Sequence, residues 1–186
     1  MKPKLSHIFE RETHEHYVEP FWCSERLFQV EKFDGPVWDP CCGFGRIPDA
    51  ARLAGYTPFY SDIKDRGYDP SGTCPWGDFF ECTEPTDNIV SNPPFDKFSE
   101  FANHALKLAT RKVAMLWIVP RLNAARWLQD TPLARVWLLT PRPSMPPGHV
   151  ISAGGKATGG TQDFCWLVWD KSHSGQPEMR WLRREK

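Results

Sequence analysis

The stretch Val37-Trp38-Asp39-Pro40-Cys41-Cys42-Gly43-Phe44-Gly45-Arg46-Ile47 constrains the fold more than any other part of the chain. Val37 and Trp38 favour a strand. Gly43 and Gly45 can take backbone angles barred to other residues and let a ligand approach the main chain. Ile47, Ala50, Ala51 and Ala54 then recur on one face of a helix, with Gly55 where a C-terminal cap belongs. Strand, glycine turn and helix in that order make the first unit of a doubly wound α/β sheet, whose ligands bind at the carboxyl ends of the strands. Asp39 narrows the choice of ligand. A carboxylate at the strand end repels a pyrophosphate, which argues against a dinucleotide and for a ligand with positive charge, such as the sulfonium and ammonium of S-adenosyl-L-methionine.

The segments after this turn keep a regular stride. Thr57 to Ile63 reads as a second strand ending in an acid. Asp62, followed by Ile63, stands roughly 20 residues beyond the turn, where a ribose-binding carboxylate occurs in such folds. One carboxylate accepts from both ribose hydroxyls. Asp78 and Phe79 suit an adenine, the acid accepting from its exocyclic amine and the ring packing on its face; an ordinary loop with an aromatic anchor fits this segment equally well. Asn88 to Ser91 is a short strand that runs into Asn92-Pro93-Pro94-Phe95. Successive prolines fix the backbone and remove two amide donors, so the carbonyls and the Asn92 side chain face outward as acceptors.

Phe98, Phe101, Ala102, Ala105, Leu108 and Ala109 repeat at helical spacing. Val113 to Val119 is a continuous apolar run, as in a central strand covered on both faces. A short helix over Asn123 to Gln129 and a strand over Val136 to Leu139 follow. Residues 141–161 are rich in Pro, Gly, Ser, His and Lys and read as a long loop of functional use. Gln162 to Trp169 is again strand, with Phe164, Trp166 and Val168 on one face and Cys165, Leu167 and Trp169 on the other. At the start, residues 1–14 with His7 and His14, and His16 beyond them, read as a surface arm. Tyr17-Val18-Glu19-Pro20 leads into a helix from Phe21 to Phe33, with Pro20 at its first turn, and Asp34-Gly35-Pro36 turns into the first strand. Residues 171–186 read as a short basic tail.

The 186 residues are 40% hydrophobic, enough for one domain with a sizeable core. The formal net charge is +0, so nucleic-acid binding would need a local patch. The charged start and the lack of a long apolar run predict a cytoplasmic protein with no membrane partner. The six cysteines form no Cys-x-x-Cys pair, which predicts free thiols and no metal site.

Asp39-Pro40-x-x-Gly43-x-Gly45 followed by Asn92-Pro93-Pro94-Phe95 resembles the class I S-adenosylmethionine-dependent amino-methyltransferases, and within them the small phage or prophage adenine-N6 DNA methyltransferases. The resemblance spans roughly residues 15 to 170 and implies a seven-stranded, mainly parallel Rossmann-like sheet whose last strand, Gln162 to Trp169, runs antiparallel. It implies that Asp39, Pro40, Cys41, Gly43 and Gly45 surround the methionine part of S-adenosyl-L-methionine, that Asp62 and Ile63 hold the ribose, and that Asp78 and Phe79 take the adenine. Tyr17 and Pro20 correspond to the family's cofactor-contacting Tyr-x-Thr-Pro, with Glu19 in place of threonine. Asn92, Pro93, Pro94 and Phe95 would be catalytic. The partner implied is DNA, with RNA as the alternative. Arg142, His149 and Lys156 are substrate-binding candidates, and no separate target-recognition domain is expected. Enzymes methylating cytosine N4, RNA adenine N6 or guanine N2, or protein glutamine share the tetrapeptide, since all present a planar NH2 group. Pro40 favours the DNA amine enzymes. A binding module without turnover is the rival of a different class, and the intact Asn92 to Phe95 argues against it.

Overall fold

The computed structural model describes residues 17–70, 76–155 and 159–185. The expected arm over residues 1–14, His16, Cys74 and Lys156 lie outside the described residues. Seven strands, β1 (Val37–Asp39), β2 (Pro58–Tyr60), β3 (Thr86–Ser91), β4 (Ala109–Ile118), β5 (Leu133–Thr140), β6 (Phe164–Asp170) and β7 (Glu178–Arg183), form one sheet. Their order is β2-β1-β3-β4-β6-β5-β7. β6 runs antiparallel to β4 and β5, and every other pairing is parallel. The chain leaves β1 outward to β2 and returns on the other side as β3, so β1 and β3 flank the point where the winding reverses. Open α/β sheets form their ligand crevice there.

Helices α1 (Phe21–Val30) and α2 (Arg46–Leu53) cover one face, and α3 (Phe98–Leu108) covers the other. Leu27, Phe28 and Ile47 pack on Val90, Leu116, Trp166 and Val168. Phe98 and Phe101 pack with Ile89, Met115, Leu167 and Trp169 on the far side. The alternation expected along β6 is present, because its two faces meet different helix layers. Burying one such side chain is worth about 1.5–3 kcal/mol, so the central strands anchor both layers.

Four expectations are corrected. The antiparallel strand near the C-terminus is β6, but it is not the last: the tail adds β7, paired with β5 from Arg135↔Glu178 to Thr140↔Arg183. Only Leu182 of β7 is buried, while Met179 and Trp181 are exposed. An edge strand with one buried side chain carries little of the periodic signal that reveals a strand. The helix expected over Asn123 to Gln129 consists of two 3-10 turns, Val119–Ala124 and Arg126–Asp130. The long loop contains a short helix, α4 (Gly148–Ser152), and it is tied to the N-terminal segment where Val18 N–H donates to Pro146 O at 2.9 Å.

α1 stops at Val30, short of the expected Phe33, because Glu31 takes extended angles. Its buried carboxylate accepts from Arg135, from Trp137 Nε1 at 2.8 Å and from Lys112 Nζ at 3.4 Å, and Asp170 shares the two cations. This cluster ties α1 to β4, β5 and β6 at the edge of the sheet opposite the crevice. Glu31→Ala would leave the indole N–H unpaired and Asp170 as the one carboxylate beside Arg135 and Lys112 among the described residues. We expect it to lower unfolding free energy by roughly 3 kcal/mol, read from urea denaturation of purified protein.

Candidate active site

The carboxyl ends of β1 and β3 are joined by a side-chain bond: Ser91 Oγ donates to Asp39 Oδ1 at 2.8 Å, and Cys41 N–H donates to the same oxygen at 3.1 Å. Asp39 is 1% exposed, and its Oδ2 is buried without a hydrogen-bond partner among the described residues. Burial pushes its carboxyl well above the usual carboxylate range; the bonds from Ser91 and Cys41 oppose this, and the charges of Glu19 and Asp62 add to it. A buried acceptor oxygen without a donor costs about 1–3 kcal/mol, so this one is suited to a ligand that brings positive charge.

The glycine turn follows at once. Cys42 N–H donates to Ser61 O, and Gly43 N–H donates to Asp62 Oδ2 at 2.9 Å. Asp62 Oδ1 accepts from Lys64 N–H and lies 3.6 Å from Arg66 Nε. The carboxylate expected to bind a ribose therefore also holds the turn. Gly45 has φ +77°, and a Cβ there would come within 1.9 Å of the Tyr68 ring. The close approach that this glycine permits is made by Tyr68, whose hydroxyl accepts from Arg52 and donates to Asp49. Pro40 is buried, Cys41 is half-buried, and Ile63 is exposed beside Asp62.

Asp78 Oδ1 accepts from Phe80 N–H and so caps a 3-10 turn. Phe79 is buried, stacked on Phe101 at 5.5 Å and edged by Trp38 and His104. Its faces are committed to the core. Trp76, exposed like Phe59 in this region, bridges to Asp62. Trp76, Trp38, Phe59 and Asp78 line a cleft of about 590 Å³ beside β2, and of the expected site residues only Asp78 lines it. Sequence reasoning passed over Trp76, whose one signal is an aromatic within a polar loop.

Asn92 follows β3 directly. Its Nδ2 donates to Tyr17 O at 2.9 Å and to Glu19 Oε2 at 2.8 Å. With Glu19 ionised both partners are acceptors only, which fixes the amide orientation, since a flipped amide would set oxygen against oxygen. Among the described residues Oδ1 accepts no hydrogen bond. Glu19, 6% exposed, also accepts from Ser24 Oγ at 3.5 Å. Burial pushes its carboxyl up to about 7, against the bond from Asn92 and the charge of Arg46. The sequence marked Glu19 only as a departure from a family pattern; its contact with Asn92, far along the chain, has no local signature.

Phe95 and Tyr17 present parallel rings, 7° apart in plane and 6.3 Å between centroids. Phe95 also packs on Phe164, and Arg121 Nη1 donates to its carbonyl at 2.7 Å. Tyr17 pairs with Pro147, and Pro20 caps the start of α1. Tyr17, expected at the cofactor, and Glu19 thus converge on Asn92 and Phe95. Pro93 is buried and Pro94 half-buried between them. Arg142 forms a fork with Asp163 at 2.5 and 3.0 Å, which neutralises its charge, and His149 is exposed on α4. Among the described residues no cluster suited to a metal ion is present, and no helix is long and apolar enough to cross a membrane.

No family model and no curated protein matches the chain. Solved structures do. A type I restriction-modification system methyltransferase subunit from Streptococcus thermophilus superposes with a TM-score of 0.62 at 12% identity, over 88% of this chain and 46% of that one. A protein from Pyrococcus horikoshii described as an RNA methyltransferase gives 0.59 at 16% identity over 81% of each chain. An S-adenosylmethionine-dependent O-methyltransferase from Thermotoga maritima gives 0.52 at 13% identity, over 81% of this chain and 64% of that one. The chain spans about half the length of the first of these. At such identities the likeness is one of fold, and the fold is that of the Rossmann-like methyltransferases.

Gly45→Ala should destabilise the protein by at least about 2 kcal/mol, from left-handed backbone strain and the collision with Tyr68. In a Tyr68→Ala background the added cost should shrink by about 1 kcal/mol, because only the collision is relieved. Thermal denaturation of the four proteins measures both terms.

Proposed function

We propose that this chain is an S-adenosyl-L-methionine-dependent methyltransferase acting on the exocyclic N6 amino group of adenine in DNA. The observation that carries the reading is the fixed orientation of Asn92: both amide hydrogens are bonded inward, to Tyr17 O and Glu19, so the oxygen is left to accept from an amine. An adenine amine is a poor nucleophile because its lone pair is delocalised into the ring. Asn92 Oδ1 and the Pro93 carbonyl, by taking its two protons in hydrogen bonds, would favour a pyramidal nitrogen with the lone pair directed at the methyl donor. Positioning and electrostatics then supply most of the acceleration, and no strong base is required beforehand. Phe95 and Tyr17 offer flat faces to a base rotated out of its duplex.

The residues present fit the cofactor. Asp39 Oδ2, a buried and unpartnered carboxylate oxygen, suits a ligand bearing an ammonium and a sulfonium. When bound, the cofactor supplies an electrophilic methyl group. Asp39, Pro40, Cys41, Gly43 and Gly45 would hold its methionine part, with Tyr17 and Pro20 nearby. Asp62 and Ile63 would take the ribose, because a carboxylate keeps lone pairs beyond those given to Gly43 and Lys64. Asp78 would meet the adenine, with Trp76 in the packing role first assigned to Phe79.

The likeness to a restriction-modification methyltransferase subunit supports a nucleic-acid substrate. RNA is the second reading, favoured by the mutual coverage of 81% with the protein described as an RNA methyltransferase. His149, Lys156 and the arginines around β7 are the residues proposed to grip phosphate, with Arg142 if its fork to Asp163 opens. Such binding weakens steeply as salt rises.

Mass analysis of nucleosides after incubation with cofactor and either DNA or RNA decides between the readings. N6-methyladenine in DNA is the expected product, and methylated guanine in RNA would sink the first reading. Asn92→Ala should lower turnover by at least about 100-fold, while calorimetry finds cofactor affinity changed by no more than about threefold.

A further inference from the structure

We infer that Glu19 is a positioning residue that holds the Asn92 amide in its working orientation and thereby sets the pH range over which the site acts. The geometry starts from the two amide hydrogens. One is taken by a main-chain carbonyl, Tyr17 O, and the other by the Glu19 carboxylate, so Glu19 is the side chain that anchors the amide. A charge-assisted bond of this kind is about twice as strong as a neutral one. Glu19 is itself held by burial between α1 and the end of β3, with Ser24 Oγ on its second oxygen.

The protonation state of Glu19 decides which way this anchor pulls. Ionised, it is an acceptor only and matches Nδ2, leaving Oδ1 outward. Protonated, it gains an O–H donor that matches Oδ1 and competes with the substrate amine for that oxygen. Charged and titratable groups reach it from each neighbouring element: Cys23 from α1, Asp39 from the end of β1 and Arg46 from the start of α2. The 146–147 segment meets the Tyr17-to-Pro20 segment through the Pro146 carbonyl, which accepts from Val18 N–H. Burial outweighs Arg46 and lifts the carboxyl to about 7. The sign follows: the outward Oδ1 is present above that pH and is withdrawn as pH falls through it.

The kinetic consequence rests on the methyl-transfer reading, whereas the coupling between Glu19 and Asn92 does not, and one experiment separates them. The Asn92 side-chain amide signals, assigned by their loss in Asn92→Ala, are followed by NMR in the 15N-labelled full chain from about pH 5 to 9. The series is run on wild type and on Glu19→Gln, which keeps the volume and a hydrogen-bonding end. Methyl transfer under single-turnover conditions is measured on the same samples. Wild type should show the amide signals titrating with a midpoint near 7. Its transfer rate should fall about tenfold per pH unit below that midpoint. Glu19→Gln should show flat amide signals and a lower, pH-independent rate, with cofactor affinity changed by no more than about threefold. Wild-type amide signals that ignore pH, or a rate limb that survives in Glu19→Gln, would overturn the inference. Titrating signals in a wild type that methylates no nucleic acid would uphold it and remove the proposed function instead.

Discussion

The site depends on one hydrogen bond across the reversal point of the sheet, from Ser91 Oγ to Asp39 Oδ1. β1 and β3 are parallel neighbours, so their carboxyl ends already lie side by side. The bond locks the loops leaving those ends, the glycine turn after β1 and Asn92-Pro93-Pro94-Phe95 after β3, into one frame. It also turns Asp39 so that one oxygen is satisfied and the other is left buried and unpaired. That atom suits a ligand that brings positive charge, and burial pushes the carboxyl well above the usual carboxylate range.

A second set of contacts completes the frame from the far end of the chain. Tyr17 and Glu19 come from before α1 and reach Asn92, and the same segment is pinned to the 146–147 stretch through Val18 N–H and the Tyr17↔Pro147 bridge. Elements far apart in sequence therefore share one amide and one aromatic pair. The Glu31 cluster serves the opposite edge, where it fixes α1 against β4, β5 and β6. α1 is thus held near both ends, and the segment that carries Glu19 enters the site from a rigid base.

The sheet is general, and the chemistry is local. Structures with quite different described activities superpose on this chain at 12–16% identity, because the fold supplies a crevice and leaves the loops to choose the substrate. On that sheet this chain carries a carboxylate at Glu19, an aromatic at Trp76 and a parallel strand, β7, at the edge beside β5. The first holds the Asn92 amide, the second lines the cleft beside β2, and the third carries exposed Met179 and Trp181 outward from β5.

The sequence alone determined the features that arise from local periodicity and from special backbone residues. The strand, glycine turn and helix around Asp39 and the two-faced alternation of β6 were legible because each is set by neighbours in the chain. Tertiary structure decided the rest. Phe79 was buried by α3, so its ring serves the core, and β7 formed with a single buried side chain because β5 offered an open edge. Glu19 acquired both its raised carboxyl and its hold on Asn92 from burial against elements that lie far along the chain. Desolvation and long-range hydrogen bonds exist only once those surfaces meet, and no spacing within the sequence encodes them.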